Sequence, residues 1–407
     1  MNREMKDSGV EWIGEIPEDW ETHKIKFGFT EVNYKNTDGL IKNALKFRYG
    51  NIVCKENFDA DTEEYVADTI LNYNVVKPGD IMINGLNLNF DFVSIRSAIV
   101  ENIGVITSAY LALRPNEQII LPYYANYLFR SYDVCKAFHN MGIGMRKTLA
   151  FKEFKNQPCI FPSPTEQQQI VHFLDRKCTA IDTAIEKTKK SIEKLEEYKK
   201  AVITNAVTKG IDPNAKMKDS GVEWIGEIPE GWEITRNKFY VIISHGMDPK
   251  TEGDIPVYGS GAESFKTCGE YKKGPAVLLG RKGATLHIPH YITGKYWNVD
   301  TAFDVKPKSE DMGLKYFYFL SMCFNYNYYI AKTTLPSMTQ FDYCNMRIPL
   351  PSRTEQDLIV SYIEDKCVAI DTAIEKKKKA IEKWEEYKKS LIYYTVTGKI
   401  DCRNEVI

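Results

Sequence analysis

A glycine-flanked basic turn is the clearest group of residues that could bind a ligand. Arg281 and Lys282 stand between Gly280 and Gly283, directly after the apolar run 276–279. Glycines let a backbone approach a ligand closely, and an arginine suits bidentate contact with guanine or with a phosphate. We therefore predict that Arg281 and Lys282 contact DNA; the alternative is an ordinary surface turn.

A second turn takes the corresponding place earlier in the chain. It reads Asn84-Gly85-Leu86-Asn87 and lacks the basic pair. An asparagine side chain can pair with the edge of an adenine. Asn84 and Asn87 are therefore candidates for base contacts, and a purely structural role fits their positions equally well.

Two further loops align when they are counted back from the Glu-Gln pairs at 166–167 and 355–356. Residues 146–149 then match residues 335–338, and each loop has a hydroxyl residue at its third position. If these loops face DNA, their basic and hydroxyl side chains are suited to contact the phosphate backbone. The candidates are Arg146 and Lys147 for phosphate contacts, and Thr148, Ser337, Thr339 and Gln340 either for DNA contacts or for capping a helix.

The motifs of the common DNA enzymes are absent from the sequence. The Gly-rich segment 259–261 has no third glycine at the place that a cofactor-binding turn requires, and no P-loop occurs. The Asp-Pro pairs at 212–213 and 248–249 are not followed by a second proline. His287 and His290 have a proline between them and no cysteine nearby, so they predict no metal site. We expect a chain that is not an enzyme by itself and binds no cofactor.

The composition is that of an ordinary protein with packed cores. The formal net charge is −1, so a DNA-binding face must be a local patch or must be helped by a partner. The nine cysteines include no C-x-x-C pair, which predicts scattered thiols in a reducing cytoplasm. No run approaches 18 apolar residues, so no membrane contact is expected.

The chain consists of two copies of one sequence unit. Residues 5–18 and residues 217–230 both read MKDSGVEWIGEIPE, and chance cannot supply such an identity. A longer repeat follows each copy, at 162–212 and at 351–401. The order in each half is a marker, a variable stretch and a helical stretch.

The repeated helical stretch predicts a coiled coil. Its apolar residues recur at the alternating spacing of four and three that is typical of such helices. We expect the two copies to pair with each other in an antiparallel, pseudo-twofold arrangement; two helical hairpins or homodimerisation are the alternatives. The predicted seam consists of Val171, Leu174, Cys178, Ile181, Ile185, Ile192, Leu195, Val360, Ile363, Cys367, Ile370, Ile374, Ile381 and Trp384.

The variable stretches predict two copies of a mixed α+β domain. Short apolar runs end in Gly or Asn and read as strands, and each is followed by a helical segment rich in Tyr and Phe. The predicted strands lie within 76–89, 107–115, 272–284 and 300–307, and the helical segments at 123–138 and 314–331. The expected boundaries are 1–161 and 213–350 for the two domains, 162–212 for the first long helix, and 351–407 for the second helix and the tail.

Several features together resemble the specificity subunit of a type I restriction–modification system. They are the marker S-G-V-E-W-I-G-E-I-P-E-x-W at 8–20 and 220–232, the G-R-K-G turn, the two Pro-Ser-x-Thr-Glu-Gln exits and the duplicated unit. The resemblance covers essentially the whole chain. It implies that 1–161 and 213–350 are target recognition domains, each reading one half of a bipartite, asymmetric DNA site through the turns and loops described above.

The resemblance also implies partners. The paired helices would set the distance between the half-sites and dock two adenine methyltransferase subunits, and two motor–nuclease subunits would join for restriction in host defence. S-adenosylmethionine and ATP would then be bound by the partners. The lysine run 376–379 is either a solvated helix face or part of a docking surface for the methyltransferase. The competing hypotheses are a coiled-coil scaffold that binds only proteins and a standalone DNA enzyme with an unrecognised site.

Overall fold

The computed structural model describes residues 3–55, 70–90, 92, 95–145, 147–261, 263–329 and 336–404. Its helices alternate between short ones inside the variable stretches and two long ones in the repeated stretches. They are Pro122–Val134 (α1), Ala137–Met141 (α2), Phe151–Phe154 (α3), Pro164–Lys209 (α4), Asn237–Tyr240 (α5), Leu314–Ser321 (α6), Tyr326–Tyr329 (α7), Gln340–Asn345 (α8) and Arg353–Val396 (α9).

The strands are short and fall into two series, one before each long helix. The first series is Met5–Asp7 (β1), Glu15–Pro17 (β2), Glu21–Lys24 (β3), Phe29–Glu31 (β4), Leu45–Arg48 (β5), Asn51–Cys54 (β6), Asn74–Val76 (β7), Ile81–Ile83 (β8), Ser97–Ile99 (β9), Gly104–Ile106 (β10), Leu111–Pro115 (β11) and Pro158–Phe161 (β12). The second is Met217–Asp219 (β13), Glu227–Pro229 (β14), Glu233–Arg236 (β15), Val241–His245 (β16), Ile255–Tyr258 (β17), Lys266–Cys268 (β18), Lys272–Lys273 (β19), Ala276–Gly280 (β20), His290–Ile292 (β21), Lys295–Asn298 (β22), Ala302–Pro307 (β23) and Arg347–Leu350 (β24).

The chain divides into two compact units. Unit 1 comprises residues 1–188 and 379–407, and unit 2 comprises residues 189–378. Each unit therefore holds one variable stretch, part of α4 and part of α9. The mixed α+β character expected from the sequence is found in both.

Both units contain the same antiparallel four-stranded sheet. In unit 1 the order is β4-β11-β8-β9, and in unit 2 it is β16-β23-β20-β21. When the four strands of each sheet are numbered by their order in the chain, they lie side by side as first, fourth, second and third in both units. The two domains therefore share a topology although their sequences have diverged. Unit 2 adds a second sheet, β18-β17-β22-β19, in which β17 and β22 run parallel.

The identical markers form identical hairpins. Met5–Asp7 pairs with Glu15–Pro17, and Met217–Asp219 pairs with Glu227–Pro229 in the same register. The next strand of each unit pairs with the strand that leads into the long helix, β3 with β12 and β15 with β24. Each marker is thereby fixed beside the point where a domain meets a long helix.

The two long helices pack antiparallel within each unit. In unit 1 Leu174 near the start of α4 shares a core with Val396 at the end of α9, and in unit 2 Val207 near the end of α4 shares one with Ile363 near the start of α9. The repeat makes the two contacts counterparts. Antiparallel pairing of the two copies, predicted from the repeated seam, is therefore the arrangement found.

Equivalent ion pairs accompany this packing. In unit 1 Lys388 Nζ lies 2.6 Å from Asp182, and in unit 2 Lys199 Nζ lies 2.7 Å from Asp371. Each pair joins α4 to α9. Asp182 and Asp371 occupy equivalent positions of the repeat, and so do Lys199 and Lys388. The two ion pairs are therefore equivalent with α4 and α9 exchanged, as antiparallel pairing of duplicated helices requires.

Most residues of the predicted seam lie inward, with one clear exception. Leu174, Cys178, Ile181, Ile185, Ile192, Ile363, Ile370 and Ile374 are buried, whereas Val171, Leu195, Val360, Cys367 and Ile381 are half-buried. Trp384 is 41% exposed and therefore does not fill the seam as predicted. Its ring packs edge to face against Tyr387 on the same helix at 6.1 Å, and this arrangement leaves part of the large indole in solvent.

Candidate nucleic-acid interface

The basic turn of unit 2 is held by backbone hydrogen bonds on both sides. It follows β20, whose five residues are all buried. The amide of Arg281 donates to Thr301 O at 2.8 Å, and Arg281 O accepts from the amide of Met338 at 2.9 Å. Lys282 forms an isolated antiparallel bridge with Ser337. The predicted turn 280–283 and the predicted loop around Ser337 are therefore one surface.

A carboxylate that sequence reasoning did not single out lies in the middle of this surface. Asp300 forms an ion pair with Arg281 Nη1, and its other oxygen lies 3.6 Å from Lys282 Nζ. The signal for it was present: Asp300 precedes β23, which pairs with the strand before the turn. β20 ends where its antiparallel partner β23 begins, which brings Arg281 and Asp300 together, but sequence spacing alone did not show this pairing.

Thr339 and Gln340 make structural contacts. Thr339 caps α8: its hydroxyl accepts from the amide of Asp342 at 3.1 Å, and the Asp342 carboxylate accepts from the amide of Thr339. The amide group of Gln340 donates to the backbone oxygen of Ile243. The capping alternative for Thr339 is therefore the one present, and DNA contact by either residue stays a prediction.

The turn of unit 1 is built on the same plan with different side chains. The amide of Leu149 donates to Gly85 O at 2.9 Å, the counterpart of the bond between Met338 and Arg281. Asn87 has a φ of 50°, and its counterpart Gly283 has a φ of 112°. Both turns thus place a left-handed residue at the same step, which favours glycine or asparagine.

The side chain of Asn84 is turned into its own loop. Its Oδ1 accepts from the amide of Leu86 at 3.2 Å, and its backbone oxygen accepts from Nη1 of the buried Arg96 at 3.0 Å. Arg96 in turn donates its backbone amide to Asp133 at 3.0 Å. Burial raises the pKa of Asp133 to about 6. Asn84 therefore shapes the turn, and its contact with a base stays a prediction.

Ile143 and Met145 give unit 1 an exposed apolar surface beside this turn. Lys147 and Thr148 are exposed, as a DNA contact requires, and Arg146 lies outside the described residues. Ile143 and Thr148 form an isolated bridge, and Met145 between them is 96% exposed. The amide of Leu88 donates to Lys147 O at 3.0 Å, which joins the loop to the turn as in unit 2.

In unit 1 the Glu-Gln pair at 166–167 attaches the marker and the domain to the start of α4. Trp20 donates its indole N–H to Glu166 at 2.9 Å. Gln167 is fully buried; its Oε1 accepts from the amide of Leu121 at 2.7 Å, and its Nε2 donates to Ile119 O and to Pro162 O. The glutamate thus secures the marker and the glutamine secures the domain to the start of α4.

Unit 2 repeats these bonds at the start of α9. Trp232 donates to Glu355 at 2.9 Å, and the buried Gln356 binds the amide of Gly313 at 2.7 Å. Trp20 and Trp232, one from each marker, therefore lie at the junction of domain and helix.

The described residues offer few features of a catalytic centre. No group of three His, Cys, Asp or Glu side chains in the described ranges is placed to hold a metal ion. Burial lowers the pKa of His290, which lies in β21. No helix in the described part of the chain is long and apolar enough to cross a membrane.

Comparisons with known proteins match nearly the whole chain to one family. The family model described as type I restriction modification DNA specificity domain matches residues 17–197 and again residues 229–383. A protein of Methanocaldococcus jannaschii provisionally named the MjaX specificity subunit of a type I restriction enzyme is 27% identical over 95% of each chain. The MjaVIII specificity subunit of the same organism is 24% identical over 96% of this chain and 95% of its own.

Two solved structures share the fold. A chain from a structure describing assembly and conformational transition of the type I R-M system aligns with a TM-score of 0.74 at 13% identity, covering 95% of this chain and 99% of that one. The HsdS subunit from Thermoanaerobacter tengcongensis aligns with a TM-score of 0.55 at 15% identity, covering 95% and 98%.

Proposed function

The chain belongs to the family of type I restriction–modification DNA specificity domains, and we propose that its two domains each read one half of a bipartite, asymmetric DNA site. Members of this family are non-catalytic specificity subunits of a restriction–modification complex. The proposal rests on one observation: both units join the turn after the second sheet strand to the loop before the long helix by equivalent backbone bonds.

The side chains on this common frame differ between the units. Unit 2 presents Arg281 and Lys282, whereas unit 1 presents Gly85 and Leu86 at the same steps. A shared frame with unlike side chains suits two readers of unlike sequences, because base identity is read by side chains and not by the backbone. The half-sites should therefore differ.

The helices α4 and α9 are proposed to set the spacing between the half-sites and to dock two adenine methyltransferase subunits. The repeated helices and the identical hairpins present similar surfaces twice, which suits two copies of one partner. S-adenosylmethionine and ATP would be bound by the methyltransferase and motor subunits. Basic partners would also supply phosphate attraction that a chain of net charge −1 lacks.

The test is to co-express the chain with the methyltransferase subunit of its system and to map methylated adenines genome-wide. We expect one split motif, with two short unlike halves around a fixed unspecific gap. Exchanging residues 213–350 for the same segment of another specificity subunit should change one half only. Copurification of the two proteins without any motif would favour a scaffold that binds only proteins.

A further inference from the structure

We propose that Arg281 and Asp300 together form a site for the edge of a guanine. Asp300 holds the guanidinium by one nitrogen, and the free edge of the guanidinium donates to guanine O6 and N7. This inference rests on the proposed function, because it names the ligand of the unit 2 reading surface and adds Asp300 as a positioning residue.

The position of Arg281 is restrained at several atoms. Its backbone is held by the bonds to Thr301 and Met338 at 2.8 and 2.9 Å. Its Nη1 binds the carboxylate of Asp300 and also lies 3.3 Å from the backbone oxygen of Asp300. The side chain is only 27% exposed. A restrained guanidinium loses less conformational entropy on binding, which improves affinity, and its fixed orientation favours a ligand whose acceptors match its donors.

The other edge of the guanidinium remains available. Among the described residues, Nε and Nη2 of Arg281 make no hydrogen bond. These two donors are parallel and match the two acceptors that guanine presents in the major groove. Cytosine, thymine and adenine do not present two adjacent acceptors there. The geometry therefore suits one base.

The neighbouring carboxylate favours a base over a phosphate. Asp300 is 52% exposed and lies within ion-pair distance of both Arg281 and Lys282. A phosphate at the same place would be repelled by the carboxylate, whereas the edge of a base carries no net charge. The three side chains carry a single net positive charge, which is a weak attractor for a phosphate compared with an unopposed pair of cations.

The glycines on both sides of Arg281 and Lys282 are required by the shape of the turn. A Cβ on Gly280 would collide with Leu286, and Gly283 has a φ of 112° that disfavours side chains. Unit 1 has Gly85 where unit 2 has Arg281, and Gly85 is closed off by Leu149, whose oxygen would lie 2.6 Å from an added Cβ. Guanine readout by this turn is therefore expected only in the half read by unit 2.

The experiment uses the complex of the full chain with its methyltransferase and three variants. The wild-type motif should contain a guanine in the half that changes when residues 213–350 are exchanged. R281K keeps the charge but loses the paired donors, and we expect discrimination at that guanine to fall roughly tenfold to a hundredfold. The other half should stay unchanged.

D300N separates positioning from folding. It is isosteric but leaves Arg281 and Lys282 unopposed, so discrimination should fall while binding to unrelated DNA strengthens and becomes more salt-dependent. A merely structural role would not produce this pair of changes. D401N is the matched control, because Asp401 pairs with Arg403 at 2.7 Å on the surface of unit 1; it should leave the motif intact.

Three results would overturn the inference while leaving the proposed function in place. They are a unit 2 half-site without guanine, an R281K variant with unchanged discrimination, and a loss of methylation that is equal for all sequences, which indicates a phosphate contact. Melting temperatures of R281K and D300N near that of the wild type exclude misfolding. A wild-type complex with no split motif would overturn the proposed function and this inference together.

Discussion

Trp20 donates its indole N–H to Glu166 at 2.9 Å, and the same bond joins a marker to a long helix in each unit. In unit 1 the glutamate is only 6% exposed and also forms an ion pair with Arg3, whose side chain is 8% exposed. In unit 2 the corresponding Glu355 is half-buried. Loss of this glutamate should therefore lower the free energy of unfolding more in unit 1 than in unit 2.

The first prediction follows from this difference. E166A removes a buried partner from both Arg3 and Trp20, so it should lower the free energy of unfolding by about 3 kcal/mol. E355A removes one hydrogen bond from Trp232 and should cost about 1 kcal/mol. Urea unfolding of the full chain, followed by tryptophan fluorescence, measures both. Equal losses would contradict the account of Glu166 as a buried ionic partner.

The second prediction concerns the helix pairing. Leu174 and Ile363 occupy equivalent repeat positions and are fully buried. L174A and I363A should each cost roughly 2–5 kcal/mol, because truncation leaves a cavity. W384A, at an exposed seam position, should cost less than about 1 kcal/mol. A thermal melt that ranked W384A with the other two would show that the indole is buried between helices in solution.

The third prediction concerns pH. Asp133 has a pKa of about 6 against an ordinary value of 3.8, chiefly because it is buried. The folded state binds the proton of Asp133 more tightly than the unfolded state does. Protonation therefore stabilises the fold fully below about pH 4, and this stabilisation is lost as the pH rises through 6. Two pKa units correspond to about 3 kcal/mol.

The measurement compares the wild type with D133N. The amide can still accept the hydrogen bonds from Arg96 and Ser97, and it does not titrate. The difference in free energy of unfolding between the two proteins should therefore change by up to about 3 kcal/mol from pH 4 to pH 7, in favour of the variant. A constant difference over this range would mean that Asp133 has an ordinary pKa.

The fourth prediction separates phosphate contact from base contact in unit 1. Lys147 is exposed on the loop beside the turn. K147A should weaken DNA binding by the assembled complex about equally for all sequences and reduce the slope of log affinity against log salt by about 0.9. K308A, at an exposed lysine outside both reading surfaces, should leave the slope unchanged. A change in the methylated motif caused by K147A would instead indicate a role in base readout.

Local signals in the sequence were sufficient for the two long helices and for the alignment of the two turns, whereas the predicted helical segments 123–138 and 314–331 are each divided into two shorter helices. The long helices predicted within 162–212 and 351–407 occupy Pro164–Lys209 and Arg353–Val396, because an apolar stripe without proline or glycine has few alternatives to a helix. The alignment of Leu149 with Met338 is matched by their equivalent backbone bonds to Gly85 and Arg281. DNA contact by the predicted residues themselves remains for experiment.

Non-local contacts lay beyond those signals. Asp300 is 19 residues from Arg281 in the chain and meets it only because β20 and β23 pair. Burial of Asp133 and Arg96 likewise depends on how α1 packs on the sheet. The spacing of Trp384 matched the seam, but its exposure depends on which side chains face it.

The sequence by itself determined the duplicated plan, the two long helices, the two mixed domains and the alignment of the two turns, since these depend on repeats, periodicity and glycine placement. Only the tertiary structure decided which carboxylate lies beside Arg281, which glutamate is a buried ion-pair partner and which seam residue remains in solvent. The physical reason is that charge pairing and burial depend on distances between segments far apart in the chain, and no local pattern encodes those distances.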